Sequence, residues 1–156
     1  RHGLAELSLR PLAKAVGASP RILLYYFGSK EALVVEIVRR GRDRQRAMMA
    51  QLKLDAPSPR EVARALWREW SKPEWEPLTR LAFEVYGLAL QDRSRFPGYL
   101  DSSINDWLDA LKGCTATQAT LLLAGFRGFL LDLLATHDRA RIDHAVDLWL
   151  EAVYDA

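Results

Sequence analysis

Residues 17–33 read GASPRILLYYFGSKEAL. Gly17 closes a preceding helix, in the position that favours a left-handed residue. Ser19 offers a hydroxyl to the orphan N–H groups of the next helix, and Pro20 takes its first position, where a missing N–H costs nothing. Gly28 stops that helix and Ser29 caps a third. Leu23 and Phe27 are four apart and face inward. Arg21 and Tyr25, also four apart, face outward, with Ile22 and Tyr26 on the neighbouring stripe. A helix meant only for packing has no use for an arginine and two tyrosines crowded on its outer side.

Upstream, Ser8 caps a helix from Leu9 to Val16, whose Leu9, Leu12, Ala13 and Val16 recur at helical spacing. Two short helices joined by Gly17-Ala18-Ser19 spell a helix-turn-helix, a motif whose second helix enters the major groove of DNA. Arg21 has the fork that reads guanine, and Ile22 the apolar surface that meets a thymine methyl. Tyr25 and Tyr26 can hydrogen-bond phosphates. Lys30, with the N–H groups at the positive start of the third helix, can hold another phosphate.

The 156 residues are 49% hydrophobic, which allows one sizeable core and excludes a disordered chain. A single cysteine, Cys114, excludes an internal disulfide framework and a Cys-rich metal site, and reads as a buried thiol. The N-terminal RHGLAELSLR has no apolar signal-type core, and Arg127 and Asp132 interrupt the most apolar stretch, Ala119 to Ala135. A cytoplasmic protein is the expectation. The net charge of +2 conceals an asymmetry: residues 1–53 hold 11 Lys/Arg against 4 Asp/Glu, and residues 54–156 hold 11 against 16. A basic first third on an acidic remainder points to a nucleic-acid end, although Arg39, Arg40, Arg42, Arg44 and Arg46 alone fit a solvated helix face equally well.

The rest reads as helix, with no alternating strand pattern. The third helix runs from Lys30 to about Leu52, followed by a linker, Asp55-Ala56-Pro57-Ser58-Pro59. Further helices span Ser58 to about Ser71, Leu78 to Gln91 after breaks at Pro73 and Pro77, and Tyr99 to Leu111. A Thr115-x-x-Gln118 capping box opens a helix to about Thr136, and Asp138 caps the last. The expected fold is all-α, with a helix-turn-helix DNA-binding domain over 1–46 and a second helical domain over 47–156.

Residues 7–33, LSLRPLAKAVGASPRILLYYFGSKEAL, resemble the DNA-binding signature of the TetR family of one-component transcriptional regulators. The matching slots are Ser8, Leu12-Ala13, Gly17-Ala18-Ser19, Leu23 to Phe27, and Ser29-Lys30-Glu31-Ala32-Leu33. Two slots depart from the pattern. Leu24 stands in the usual tyrosine position and Tyr26 in the usual histidine position, so the phosphate contact passes to Tyr25. The resemblance implies DNA contacts from Arg10, Arg21, Tyr25, Tyr26 and Lys30, with Ser8, Ser19 and Ile22 as further candidates. It also implies a first helix before this stretch, of which Arg1 and His2 read as the tail.

The resemblance further implies an effector pocket among the middle helices and a homodimer built from the last two. The middle region is rich in large aromatics, and Trp67, Phe83, Tyr86, Trp107 and Phe126 are the candidate lining for an apolar or aromatic small molecule. Residues 119–135 are apolar nearly all round, which implies two buried faces, one of them for a partner copy. Leu121, Gly125, Gly128, Phe129, Val146, Trp149 and Val153 are the candidate dimer contacts. A repressor released from a palindromic operator is the expected function, with no cofactor and no metal. The alternative is a helical dimeric interaction module without sequence-specific DNA binding. His2, His137 and His144 form no metal or catalytic set, and no phosphate-binding glycine loop appears, so an enzyme is not expected.

Overall fold

The computed structural model describes residues 9–55, 58–111 and 113–154. Ser8 and His2 lie outside them. Among the described residues there are eight α-helices and no strand: α1 (Leu9–Ala15), α2 (Pro20–Phe27), α3 (Lys30–Asp55), α4 (Pro59–Trp70), α5 (Glu76–Gln91), α6 (Tyr99–Ala110), α7 (Ala116–Thr136) and α8 (Arg139–Tyr154). The all-α expectation holds.

The caps behave as their chemistry dictates. Gly17 and Gly28 take φ of 67° and 76°, a region that side chains with a Cβ avoid. Ser19 Oγ accepts from the Ile22 N–H at 3.2 Å, and Ser29 Oγ from the Ala32 N–H at 3.0 Å. Thr115 and Gln118 form both bonds of the capping box, and Asp138 Oδ1 accepts from the Arg141 N–H at 3.2 Å. One boundary differs from the sequence reading. Pro77 does not break the chain but sits in the first turn of α5, where its missing N–H removes no helical bond, and a short 3-10 turn at Pro73–Trp75 leads into it.

Three apolar clusters hold the helices together. Ala13, Leu23 and Leu33 centre a small core joining α1, α2 and the start of α3. Val34 and Val38 of α3 pack with Val85, Ala89, Phe96, Tyr99 and Leu100 in a second. The third joins Met49 of α3 to α4, α7 and α8, and is dense in aromatic rings: Trp70 meets Trp107 at 4.9 Å and Phe126 at 5.7 Å between centroids. Helix α3 passes through all three. It is unbroken at residue 46, and the first cluster draws on α3 only as far as Ile37. Arg95, just after α5, also pairs with Glu31 at 3.1 Å near the start of α3.

Helix α7 has the length and mean hydropathy, 1.5 over 18 residues, of a membrane span. Its apolarity divides between two faces. Ala119, Leu122 and Phe126 enter the core, while Leu121, Ala124, Gly128 and Leu131 stand exposed on the other side. Helix α8 lies unusually close: a Cβ at Gly125 would stand 2.2 Å from the Trp149 ring, so that indole rests on bare α7 backbone.

Gly125→Ala therefore forces Trp149 out of place and is expected to cost about 1–3 kcal/mol in urea unfolding. Gly87→Ala, at an exposed position of α5 where an added Cβ meets nothing within 4 Å, is expected to be neutral or to gain up to about 1 kcal/mol.

Candidate functional site

The first cluster carries α2 as a platform that leaves its outer residues exposed. Tyr25 is 83% exposed and Tyr26 75%, and Ile22, Leu24 and Arg21 are exposed beside them. The two tyrosine rings meet edge to face at 5.4 Å. So much apolar and aromatic surface on an eight-residue helix marks a binding face rather than a packing one. Arg10 is exposed on α1, and Lys30 is half-buried at the start of α3. The Ser19 hydroxyl serves as the α2 cap.

The arginine run of α3 behaves differently from this face. Glu36 accepts from both Arg39 and Arg40, at 2.8 and 2.7 Å, which holds its carboxyl down to about 2. Arg39 also pairs with Asp43 at 2.7 Å, Arg44 lies over the Trp75 ring, and Arg42 turns into the protein interior. Much of the basic excess is thus neutralised within α3 or spent against neighbouring helices. The positive charge beside α2 comes from Arg10, Lys14, Arg21 and Lys30.

A cavity of about 370 Å³ lies among α3, α4, α5, α6 and α7. Phe83, Tyr86, Trp107 and Phe126, four of the five candidate residues, line it. Trp67 does not. It is 3% exposed, donates from Nε1 to Asp143 Oδ1 at 2.7 Å, and so faces α8 instead. The polar lining went unforeseen: Arg42, Gln45, Thr79, Tyr99, Ser103 and Arg127. Arg42 continues the stripe Val34, Val38, Arg42, Gln45, Met49, a spacing of four, four, three and four that already marks an inward face.

Arg42 is only 5% exposed. Its Nη1 lies 3.1 Å from Asp106 Oδ2, close enough for ionic attraction but not aligned for a hydrogen bond, and its guanidinium sits 5.9 Å from the Tyr99 ring centroid. Arg127 Nη2 donates to the Ser103 carbonyl at 2.7 Å, and its guanidinium lies over Tyr86. Burial lowers the Arg127 pKa and pushes the Tyr99 hydroxyl up to about 12. Among the described residues the buried Trp70 Nε1 has no acceptor.

The candidate dimer contacts separate into two groups. Val146 and Val153 are 1% and 8% exposed within the chain's own core and cannot present a face to another copy. The close approach at Gly125 is to Trp149 of the same chain, and Phe129 and Trp149 pack on each other at 5.3 Å. Leu121 and Gly128 do stand outward, with Ala124 and Leu131 on α7 and Leu148 and Ala152 on α8 completing an exposed apolar surface. Cys114 is half-buried against the third core. No group of three potential metal ligands occurs among the described residues.

Residues 1–37 match the family model of bacterial regulatory proteins, tetR family. The chain carries the DNA-binding head of a TetR-family transcription regulator. No curated protein and no solved structure matches it. The TetR-family match covers α1 and α2 and ends within α3, at the residue where the first core also ends.

Because the folded pKa of Tyr99 is raised, its contribution to stability is full below about pH 10 and is lost as the pH climbs to about 12. Urea midpoints measured across that window should fall less steeply for Tyr99→Phe than for the parent protein.

Proposed function

We propose that this TetR-family chain is a homodimeric repressor that leaves a palindromic operator when a small apolar or aromatic effector enters the cavity. It is a cytoplasmic, non-enzymatic regulator in this reading. The carrying observation is that α3 supplies Leu33 to the head and Val38, Arg42, Gln45 and Met49 to the cavity wall. An occupant that displaces the wall displaces the base of the reading helix.

Arg21, Ile22, Tyr25 and Tyr26 are the proposed groove and phosphate contacts, with Arg10 and Lys30 on flanking phosphates. One such head neutralises few phosphates, and a two-fold dimer doubles the contacts and matches a palindrome. The exposed stripe Leu121, Ala124, Gly128 and Leu131 is the proposed α7 contribution to that dimer, with Leu148 and Ala152 from α8. Leu131 and Gly128 also line the cavity, so a partner copy would sit beside its mouth. The ion-paired arginines of α3 favour the alternative of a non-DNA-binding module to a limited degree, since they weaken long-range steering.

Selection of the chain against a random duplex library at moderate salt tests the reading. A palindromic motif is expected, and failure of well-folded dimer to enrich any sequence would favour the interaction module. With the selected duplex, Arg21→Ala is expected to lose about 1–3 kcal/mol of binding and to relax one base position, by anisotropy titration. Arg40→Ala should stay within about twofold of the parent, because Glu36 already pairs that guanidinium. Leu131→Glu is expected to yield a folded monomer in sedimentation.

A further inference from the structure

We infer that the effector is an anion, a carboxylate on an apolar body, held by Arg127 and Arg42. The inference rests on the reading of the cavity as an effector site and adds the charge of its occupant. Among the described residues no carboxylate lines the cavity, yet two guanidinium groups do. Arg127 forms no ion pair with a described carboxylate. Its partners are the neutral Ser103 carbonyl and the face of Tyr86. Among the described residues Arg42 pairs with Asp106, across a poorly aligned 3.1 Å approach, and the two arginines repel one another.

A buried and a half-buried cation beside one carboxylate leave a surplus of about one positive charge in a largely apolar surrounding. Such a charge is costly unless it is paired and hydrogen-bonded. A monoanion supplies that pairing. A carboxylate fits better than a phosphate dianion, because one surplus charge and two planar forks match its charge and its two oxygens. The remaining lining sets the body of the molecule. Trp107, Phe83 and Phe126 offer ring faces, and 370 Å³ accommodates a fused two-ring system with its carboxylate.

The test is a matched pair of probes on the full chain, 2-naphthoate and its neutral analogue 2-naphthalenemethanol, followed by quenching of tryptophan fluorescence and by calorimetry at neutral pH. The naphthoate is expected to bind at least tenfold more tightly. Arg127→Met should remove most of that preference and leave the alcohol's affinity within about twofold, and Arg42→Met should act in the same direction. Thermal melts establish that each variant is folded, and the probe pair on the parent protein needs no variant. Equal binding of the two probes would overturn the anionic assignment while leaving the cavity as an effector site for neutral molecules. If neither probe binds, the effector-site reading itself fails, and the inference with it.

Discussion

Leu33 and Val34 are neighbours in sequence, and on an α-helix neighbouring side chains diverge by about 100°. Here that divergence sends Leu33 into the head and Val34 into the second core, where neither is more than 5% exposed. The two bodies therefore share one hydrogen-bonded rod. No loop lies between them to absorb a displacement, so rotating or sliding α3 to suit one core disturbs the other. The position of the reading helix, the shape of the cavity and the coupling proposed between them all depend on this single constraint.

Coupling also requires that an occupant prefer one position of α3 over another, since a ligand with equal affinity for both states shifts nothing. The placement of Arg42 on α3 and Arg127 on α7 supplies a means. An anion drawing the two guanidiniums together acts directly on the rod, whereas a purely apolar occupant acts only by filling space. Aromatic packing around Trp70, Trp107 and Phe126 makes the far wall stiff, because interdigitated rings have few alternative arrangements.

The helices, their caps and the exposed side of α2 were legible in the sequence because each depends on neighbours within a few residues. Gly17, Ser19, Pro20, Gly28 and Ser29 act locally, and the structure places each where its chemistry requires. Pro77 misled because a proline that ends one helix is also tolerated at the start of the next. Trp67 misled because helical spacing shows that a ring faces inward but not which of two neighbours it meets, and Asp143 is 76 residues away. The same limit hid Val146 and Val153, whose apolar stripe fits a dimer seam and a subunit core equally well. Arg42 was obscured by its company. Five arginines within eight positions read as a solvated face, yet its register with Val34, Val38 and Met49 marked it as the inward one.

The most direct test of the account is the operator affinity of the protein titrated with 2-naphthoate, and the naphthoate affinity measured in return at saturating operator. The account predicts that operator binding weakens to a plateau about fivefold or more below its starting value, and that naphthoate binding weakens by the same factor on the operator-bound protein. Naphthoate that occupies the cavity while operator affinity stays unchanged would contradict it, because the cavity and the reading head would then share α3 without sharing any free energy.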